Sequence, residues 1–427
     1  MNRRRFLGGM VAAGALAHSR RAHAAAALSY GPASFEVTST SALVWLRASA
    51  RAQVRVEFGT SATLAGATMM APGLATPASD YTVVTGLGGL TPDTEYFYRG
   101  VVSEEGSDPV QGSIGRFRTA PTAAREFRFA WSGDMEGGRR PFAILDHVTA
   151  LRPDFFLMLG DTIYADIPKD KFVPSLAHYR AKHREIREDR SLQRMLAAMP
   201  VVAMWDDHEV ENDFDRTHPA LPDGRQAFRE YWTIPSSDTL YRRFAWTPAL
   251  EMFVLDCRSY RNPKADTDGP AKTMLGAVQK AWLKDALKDS QATFKVIVSS
   301  VPMLPPTSKV DSWSGYPTER QELVDFIKRE RLRNVVVLSA DFHVALDYEE
   351  SGISEFIAGP IGASPYCQGG RGVARRQELE RYGRFFICDA MNFGAVTVRP
   401  DASPPHIEVQ VIDGKGTVRH RRTIPAS

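Results

Sequence analysis

Residues 155–166 read FFLMLGDTIYAD. An unbroken apolar run ends on a glycine and Asp161, and Tyr164 follows three places later. A strand apolar at every position, not every second one, is a strand covered on both faces. The form recurs as FRFAWSGD at 127–134, PVVAMWDDHE at 200–209, EMFVLDCRSYR at 251–261, FKVIVSSVP at 294–302 and NVVVLSADFH at 334–343. Helical patterns lie between these runs, at 141–151, 176–199, 275–289 and 319–331. Buried strands alternating with helices predict an α/β domain over residues 125–427, closed by a hairpin with Asp413-Gly414 at its turn.

Residues 27–120 have a different rhythm. SALVWLRA and QVRVEFGT alternate apolar and polar positions, and YTVVTGLGGLTPDTEYFYRGVV is two such runs about a Gly/Pro-marked turn. Short alternating strands predict a small all-β sandwich, and LTPDTEYFYR (90–99) resembles fibronectin type III domains. This segment has no cluster of metal-ligating side chains, so a structural or substrate-shaping role is expected of it.

Residues 1–24, MNRRRFLGGMVAAGALAHSRRAHA, have a basic start, a weak apolar middle and a small-x-small end. Arg3, Arg4, Phe6 and Leu7 fit the core of a twin-arginine export signal, which predicts a periplasmic or secreted protein with the twin-arginine translocase as its export partner. The apolar part is too short to span a bilayer, and no other stretch has the length to do so. The segment holds five arginines and no acid, which leaves 48 basic against 50 acidic residues and a net charge of −2. The basicity thus belongs to the leader, and nothing in the balance points to nucleic acid. Of three cysteines, Cys367 and Cys388 pair and leave Cys257 over, or all three are buried thiols; a disulfide framework is not expected.

The apolar runs stop on acids: Asp134, Asp161, Asp206-Asp207 and Asp341. Sites in α/β sheets gather at the carboxyl ends of strands, so these acids are expected to converge. A single Asp in this position commonly caps the next helix. Capping does not account for His343 two residues after Asp341, for Tyr164, or for His208, Glu209, Asn212 and Asp213 after Asp207. Two carboxylates ~4 Å apart at an effective dielectric near 20 repel by about 4 kcal/mol, so four in one pocket take up protons or need cations. Oxygen-rich ligands with few imidazoles suit Fe, Mn, Mg or Ca better than a zinc cage, and a phenolate at Tyr164 suits a hard trivalent ion. Two such ions ~3.5–4 Å apart are an arrangement for in-line attack on phosphate esters.

With GDTIY, WDDHEVENDF, LDCRSYR, DSWSGYPTER, LSADFH and SEFIAGP in place, the chain resembles the alkaline phosphatase D (PhoD-like) family of metallophosphoesterases. It is also similar to purple acid phosphatases in its G-D-x-x-Y motif. The resemblance implies a four-layer α/β/β/α sandwich behind the small β domain. It also implies hydrolysis of small-molecule or lipid phosphate monoesters and diesters by metal-hydroxide attack. Carried over by position, it gives Asp161 as the bridge between two metals, with Tyr164 and His343 on the first and Asp207 and Asp341 on the second. His208 becomes the proton donor to the leaving group, and Arg258 and Asn212 become holders of phosphate oxygens. Relatives often have a cysteine where this chain has Asp134, which keeps a first-metal role but hardens the site. Fe³⁺ with Ca²⁺ is the implied pair, with Mn²⁺ or another divalent ion left open. Two rivals stand beside this reading: a phospholipase D-like phosphodiesterase of lipid or teichoic-acid-type diesters, and a non-catalytic metal-binding envelope protein.

The basic run HYRAKHREIREDR (178–190) is expected to be a solvated helix face, with guidance of anions as its alternative. Trp205 and Trp313 are expected in the core before a cleft wall, and Tyr316 is a lesser candidate for substrate contact.

Overall fold

The computed structural model describes residues 26–104, 107–235, 238–370 and 372–427; the expected export signal at 1–24 lies outside them. A nine-stranded sheet has the order Val418–Pro425, His406–Asp413, Asn392–Arg399, Phe127–Ser132, Phe155–Leu159, Val201–Met204, Leu28–Phe35, Ser41–Ala48 and Thr82–Gly88. A seven-stranded sheet has Arg242–Thr247, Leu250–Val254, Phe294–Val298, Val335–Ser339, Ile353–Ile357, Ala345–Glu350 and Phe385–Ile387. The central strands of each are parallel and the outer ones antiparallel.

Alternation along the strands builds the layers. Phe129, Trp131, Phe155, Leu157 and Leu159 point from the first sheet into one core with Trp246, Met252, Val296, Val336 and Phe356 of the second. Phe129 and Phe155 stack there at 5.1 Å. The intervening residues Ala130, Phe156 and Met158 meet helices Ile144–Leu151 and Arg190–Ala198 on the outer face. Phe253, Ile297 and Val337 meet Gly276–Asp289 and Pro317–Arg329 on the far side. These are the expected α/β/β/α layers, and they bring the carboxyl ends of both sets of parallel strands to one rim. Among the described residues no helix is long and apolar enough to cross a membrane.

Three features depart from the sequence pattern. The helix expected over 176–199 is two, Leu176–Arg187 and Arg190–Ala198, because Asp189 caps the second through the N–H of Leu192 at 2.9 Å. The basic run there is not a solvated face. Arg180 pairs with Glu230, Arg184 with Asp80, and Arg187 lies enclosed between the rings of Trp45 and Trp232 at 4.6 and 4.4 Å. It fastens the N-terminal segment. That segment, moreover, does not stand apart. A second, six-stranded sheet completes the sandwich, but the segment's strands Leu28–Phe35, Ser41–Ala48 and Thr82–Gly88 extend the nine-stranded sheet through a parallel bridge of Phe35 with Val201. Trp205, Trp313 and Tyr316 are wholly buried, and the Tyr316 hydroxyl donates to the Asn262 carbonyl at 2.6 Å, so it does not contact substrate.

Candidate metal centre

Asp134, Asp161 and Asp341 each lie just past a parallel strand, and each turns the chain with a left-handed backbone, φ 69°, 49° and 62°. His343 does the same at φ 54°. Such conformations cost of order 1 kcal/mol each and gather where the surrounding structure enforces them. Hydrogen bonds across the rim supply that enforcement: Ile361 and Gly362 donate to the carbonyls of Gly133 and Asp134 at 3.0 and 2.9 Å. Two motif glycines are required by space. A Cβ on Gly359 would lie 2.3 Å from Asp134 Oδ2, and one on Gly160 would lie 2.5 Å from Asp206 Cβ. Glu209 gathers the rim further, accepting from the N–H groups of Asp161, Thr162 and Asp206 at 3.2, 2.6 and 2.8 Å.

The expected ligands come together. Ligand atoms of Asp134, Asp161 and His343 lie within 4.8 Å of one another, as do those of Asp161, Asp206, Asp207 and Asp341. Asp161 belongs to both groups, and Tyr164 Oη lies 3.0 Å from His343 Nε2. The carboxylates are almost fully enclosed. Burial, reinforced by Asp341, raises Asp134 well above the usual carboxylate range; burial and Asp207 do the same to Asp161. Asp341 is pushed up to about 8, mainly by burial. Both oxygens of Asp134 and Oδ1 of Asp207 are buried with no hydrogen-bond partner. Enclosed, repelling and unpartnered oxygens of this kind are what bound cations would satisfy, so the residues present fit a metal centre. Asp134 makes no helix cap: the turn that follows is Gly137–Arg139, with Glu136 before it.

His208 sits beside this cluster. Its Nδ1 is 2.5 Å from Asp166, and its ring stacks on Tyr164 with centroids 4.1 Å apart. Burial opposes its charge, but Asp207 and Asp166 outweigh burial and push its pKa up to about 9. Burial moves His343 the other way, to about 3 with help from Lys309, and its Nδ1 donates to the Ser364 carbonyl at 2.7 Å. Asn212 is exposed, with its backbone N–H on Asp166 at 3.3 Å.

Arg258 is placed differently from the expectation. Its side chain is 0% exposed, and Nε and Nη2 donate to the two oxygens of Asp206 at 2.6 and 2.8 Å. Asp207 and Asp311 stand at 3.5 and 3.7 Å, and the remaining Nη1 is enclosed. Such a guanidinium is the counter-ion of the carboxylates and does not reach out to a phosphate. Opposed by burial but held by Arg258 and His208, Asp207 stays well below its usual value.

Five further residues belong to the centre. Asp206 is anchored by Arg258 and by Ser300 Oγ at 2.5 Å. Asp213 and Asp311 form a third acidic group with Asp207. Asp166 orients His208, and Lys309 Nζ lies 3.3 Å from Asp341 Oδ2. Asp166 and Asp311 lie inside or just beyond recognised motifs, so proximity in sequence was a signal for them. Lys309, in a Pro/Ser-rich loop, carried none. Cys367 and Cys388 form a disulfide, and Cys257 is a buried thiol.

Residues 129–400 match the family model of PhoD-like phosphatases, and residues 13–121 match that of the PhoD-like phosphatase N-terminal domain. Alkaline phosphatase D of Bacillus subtilis (strain 168) is 28% identical over 366 residues, 72% of this chain. The chain spans 62% of the length of that curated relative. The solved structure of PhoD superposes with a TM-score of 0.79 at 22% identity, over 93% of this chain and 92% of that one. Purple acid phosphatase PPD1 from yellow lupin (Lupinus luteus) seeds superposes at 0.67 with 12% identity, over 92% and 74%. At such identities the superpositions speak for the fold. The family match, by contrast, runs through every strand that delivers an acid to the rim, and the chain belongs to the PhoD-like phosphatase family.

Proposed function

We propose that the chain is a metal-dependent phosphoesterase acting on monoesters and diesters of phosphate. The observation that carries this is Asp161, whose carboxylate lies within 4.8 Å of the other ligand atoms in both groups. Asp134, Asp161, Tyr164 and His343 would hold one cation, and Asp161, Asp207 and Asp341 a second. Fe³⁺ and Ca²⁺ are the assigned pair, with Mn²⁺ as the substitute to test, since Asp134 is a harder ligand than a thiolate. Bound there, the ions supply positive charge against the phosphoryl oxygens and acidify a water.

The remaining work falls to the chain itself. His208 is the proton donor to the departing alkoxide through Nε2, because Asp166 occupies Nδ1. Asp166 holds the ring in that orientation, and Tyr164 supports its face. Arg258 holds Asp206 stationary through two hydrogen bonds and favours the ionised form of Asp207. A histidine braced by Asp166 and Tyr164 beside the acids serves proton transfer and not metal storage, which favours the enzyme over the envelope-protein reading. Residues 1–24 support export by the twin-arginine route.

The test is metal analysis of the mature protein, with p-nitrophenyl phosphate hydrolysis measured before and after chelation. About two equivalents of metal per chain, with activity lost on stripping and restored by Ca²⁺ with iron or Mn²⁺, is the expected result. A protein that no ion activates would overturn the assignment.

A further inference from the structure

We propose that Lys309 is a specificity-determining residue whose ammonium receives a non-bridging oxygen of the substrate phosphoryl group and favours dianionic monoesters over monoanionic diesters. This rests on the phosphoesterase reading above.

The root of the side chain is fixed. Ser312 donates to the Lys309 carbonyl through both its hydroxyl (2.6 Å) and its N–H (3.2 Å). On either side, Ser308 N–H donates to Glu378 Oε1 at 2.9 Å and Arg261 Nη1 to the Asp311 carbonyl at 2.7 Å. The tip is held far less firmly. Nζ lies 3.1 Å from the Asp341 carbonyl and 3.4 and 3.3 Å from its two carboxylate oxygens. These are long contacts for a charge-assisted hydrogen bond, against 2.6 and 2.8 Å for Arg258 on Asp206. The Lys309 side chain is 32% exposed and Asp341 only 6%, so the ammonium lies between the carboxylates and solvent.

The other cations nearby are committed. Arg258 is enclosed on Asp206, Arg261 serves the carbonyls of Phe214 and Asp311, and Lys264 is paired with Asp213. His343 gives its Nδ1 proton to Ser364, and His208 is tied to Asp166. A cation taken up by Asp341 competes with Lys309 for the same two oxygens. The ammonium, on four rotatable methylenes, then turns to the anion that enters. A compact ammonium responds to total charge and not to shape, unlike a guanidinium fork. A monoester near neutral pH offers two negative charges over three free oxygens; a diester offers one over two. The lysine therefore strengthens binding of the first more than the second.

The wild type, Lys309→Met and Lys309→Arg are loaded with the same metals, and metal content is checked. Hydrolysis of p-nitrophenyl phosphate and bis(p-nitrophenyl) phosphate is then measured, and inorganic phosphate is titrated calorimetrically. For Lys309→Met the monoester-to-diester ratio of kcat/KM should fall about ten- to a hundredfold, chiefly through the monoester KM, with phosphate affinity falling alongside. Lys309→Arg, which keeps the charge, should hold the ratio within about threefold of wild type. Equal losses on both esters with phosphate affinity unchanged would overturn the proposal and leave Lys309 as a counter-ion of Asp341. If Lys309→Met does not fold, Lys309→Gln takes its place under the same criteria. If the wild type hydrolyses neither ester, it is the phosphoesterase reading that fails, and the phosphate titration alone decides the role of Lys309.

Discussion

Arg258→Met separates a structural counter-ion from a substrate-binding arginine. The guanidinium is fully enclosed, donates twice to Asp206, and stands within 3.7 Å of Asp207 and Asp311. Removing one partner of a buried ion pair leaves an uncompensated charge and costs about 3–5 kcal/mol. With an unfolding entropy of about 2.1 cal/mol/K per residue over roughly 400 residues, that loss lowers Tm by about 4–6 °C. The assay is differential scanning calorimetry of the metal-stripped variant beside wild type, followed by titration with Ca²⁺ or Mn²⁺. Each added cation should restore more stability to the variant than to wild type, because Asp206 and Asp207 have lost their protein cation. In the loaded enzyme the ester KM should stay within about threefold of wild type, since the side chain makes no contact with solvent. A Tm shift under about 1 °C together with a tenfold rise in KM would refute the placement of Arg258 and return it to the phosphate.

Replacing His208 by Ala should leave metal stoichiometry intact and lower kcat by about 10²–10⁴-fold; loss of metal with the ring would mean that it is a ligand and not the proton donor. In chelator, stability should fall as pH rises. Asp341 has a folded pKa raised by burial to about 8, so its contribution is full below about 4 and drains away towards 8, and Asp134 and Asp161, raised by burial in the same direction, add to the decline. His208, raised to about 9, loses its share between about 6.5 and 9 in the same direction. Tm measured from pH 5 to 9 should decline in chelator and flatten once divalent cation is added; a rising curve in chelator would contradict the clustering of the acids. The Cys367–Cys388 bridge closes a loop with a sequence separation of 21, and removing it with two serines should cost about 3 kcal/mol. Because Ser364 and Tyr366, just before Cys367, hold the ring and the backbone carbonyl of His343, the double-serine protein should also bind the first metal more weakly, a change visible by equilibrium dialysis.

The proposed metal ligands were legible in sequence because they gather where apolar runs stop: a strand must end at the rim, and several acids there accompanied by Tyr164, His208 and His343 are more than helix capping requires. Asp134, Asp161, Asp207, Asp341 and His343 share this property. Arg258 also follows a strand, yet its direction depends on Asp206, and two adjacent acids do not reveal which one faces inward. Lys309 reaches the centre from an irregular segment whose course is set by Glu378, Arg261 and Ser312, none of them near one another in the chain. That the central strands are covered on both faces followed from their unbroken apolar composition, and the four-layer arrangement from the family resemblance. The continuity of the N-terminal strands with the catalytic sheet did not, since it depends on one bridge at Phe35 and Val201 and on aromatic side chains around Arg187. Helix Leu221–Tyr231 carries Gly224 in its first turn, which lowers its helix propensity and hides it from recognition on that ground.

The strand that carries Asp134 to the rim lies between one neighbour that follows it closely, Phe155–Leu159, and another from the end of the chain: Trp131 faces Gly394 in an antiparallel ladder. As the polypeptide leaves the ribosome, Phe127–Ser132 is therefore an edge until Asn392–Arg399 and the closing hairpin arrive. The wait is long, and loop closure over such a span raises the barrier to pairing. A nascent chain in this interval exposes an apolar edge open to aggregation, and holds its acids apart until the last strands dock. Assembly of the proposed metal centre should thus come late in folding, and a chain cut short before residue 392 should bind Ca²⁺ or Mn²⁺ more weakly than the full chain.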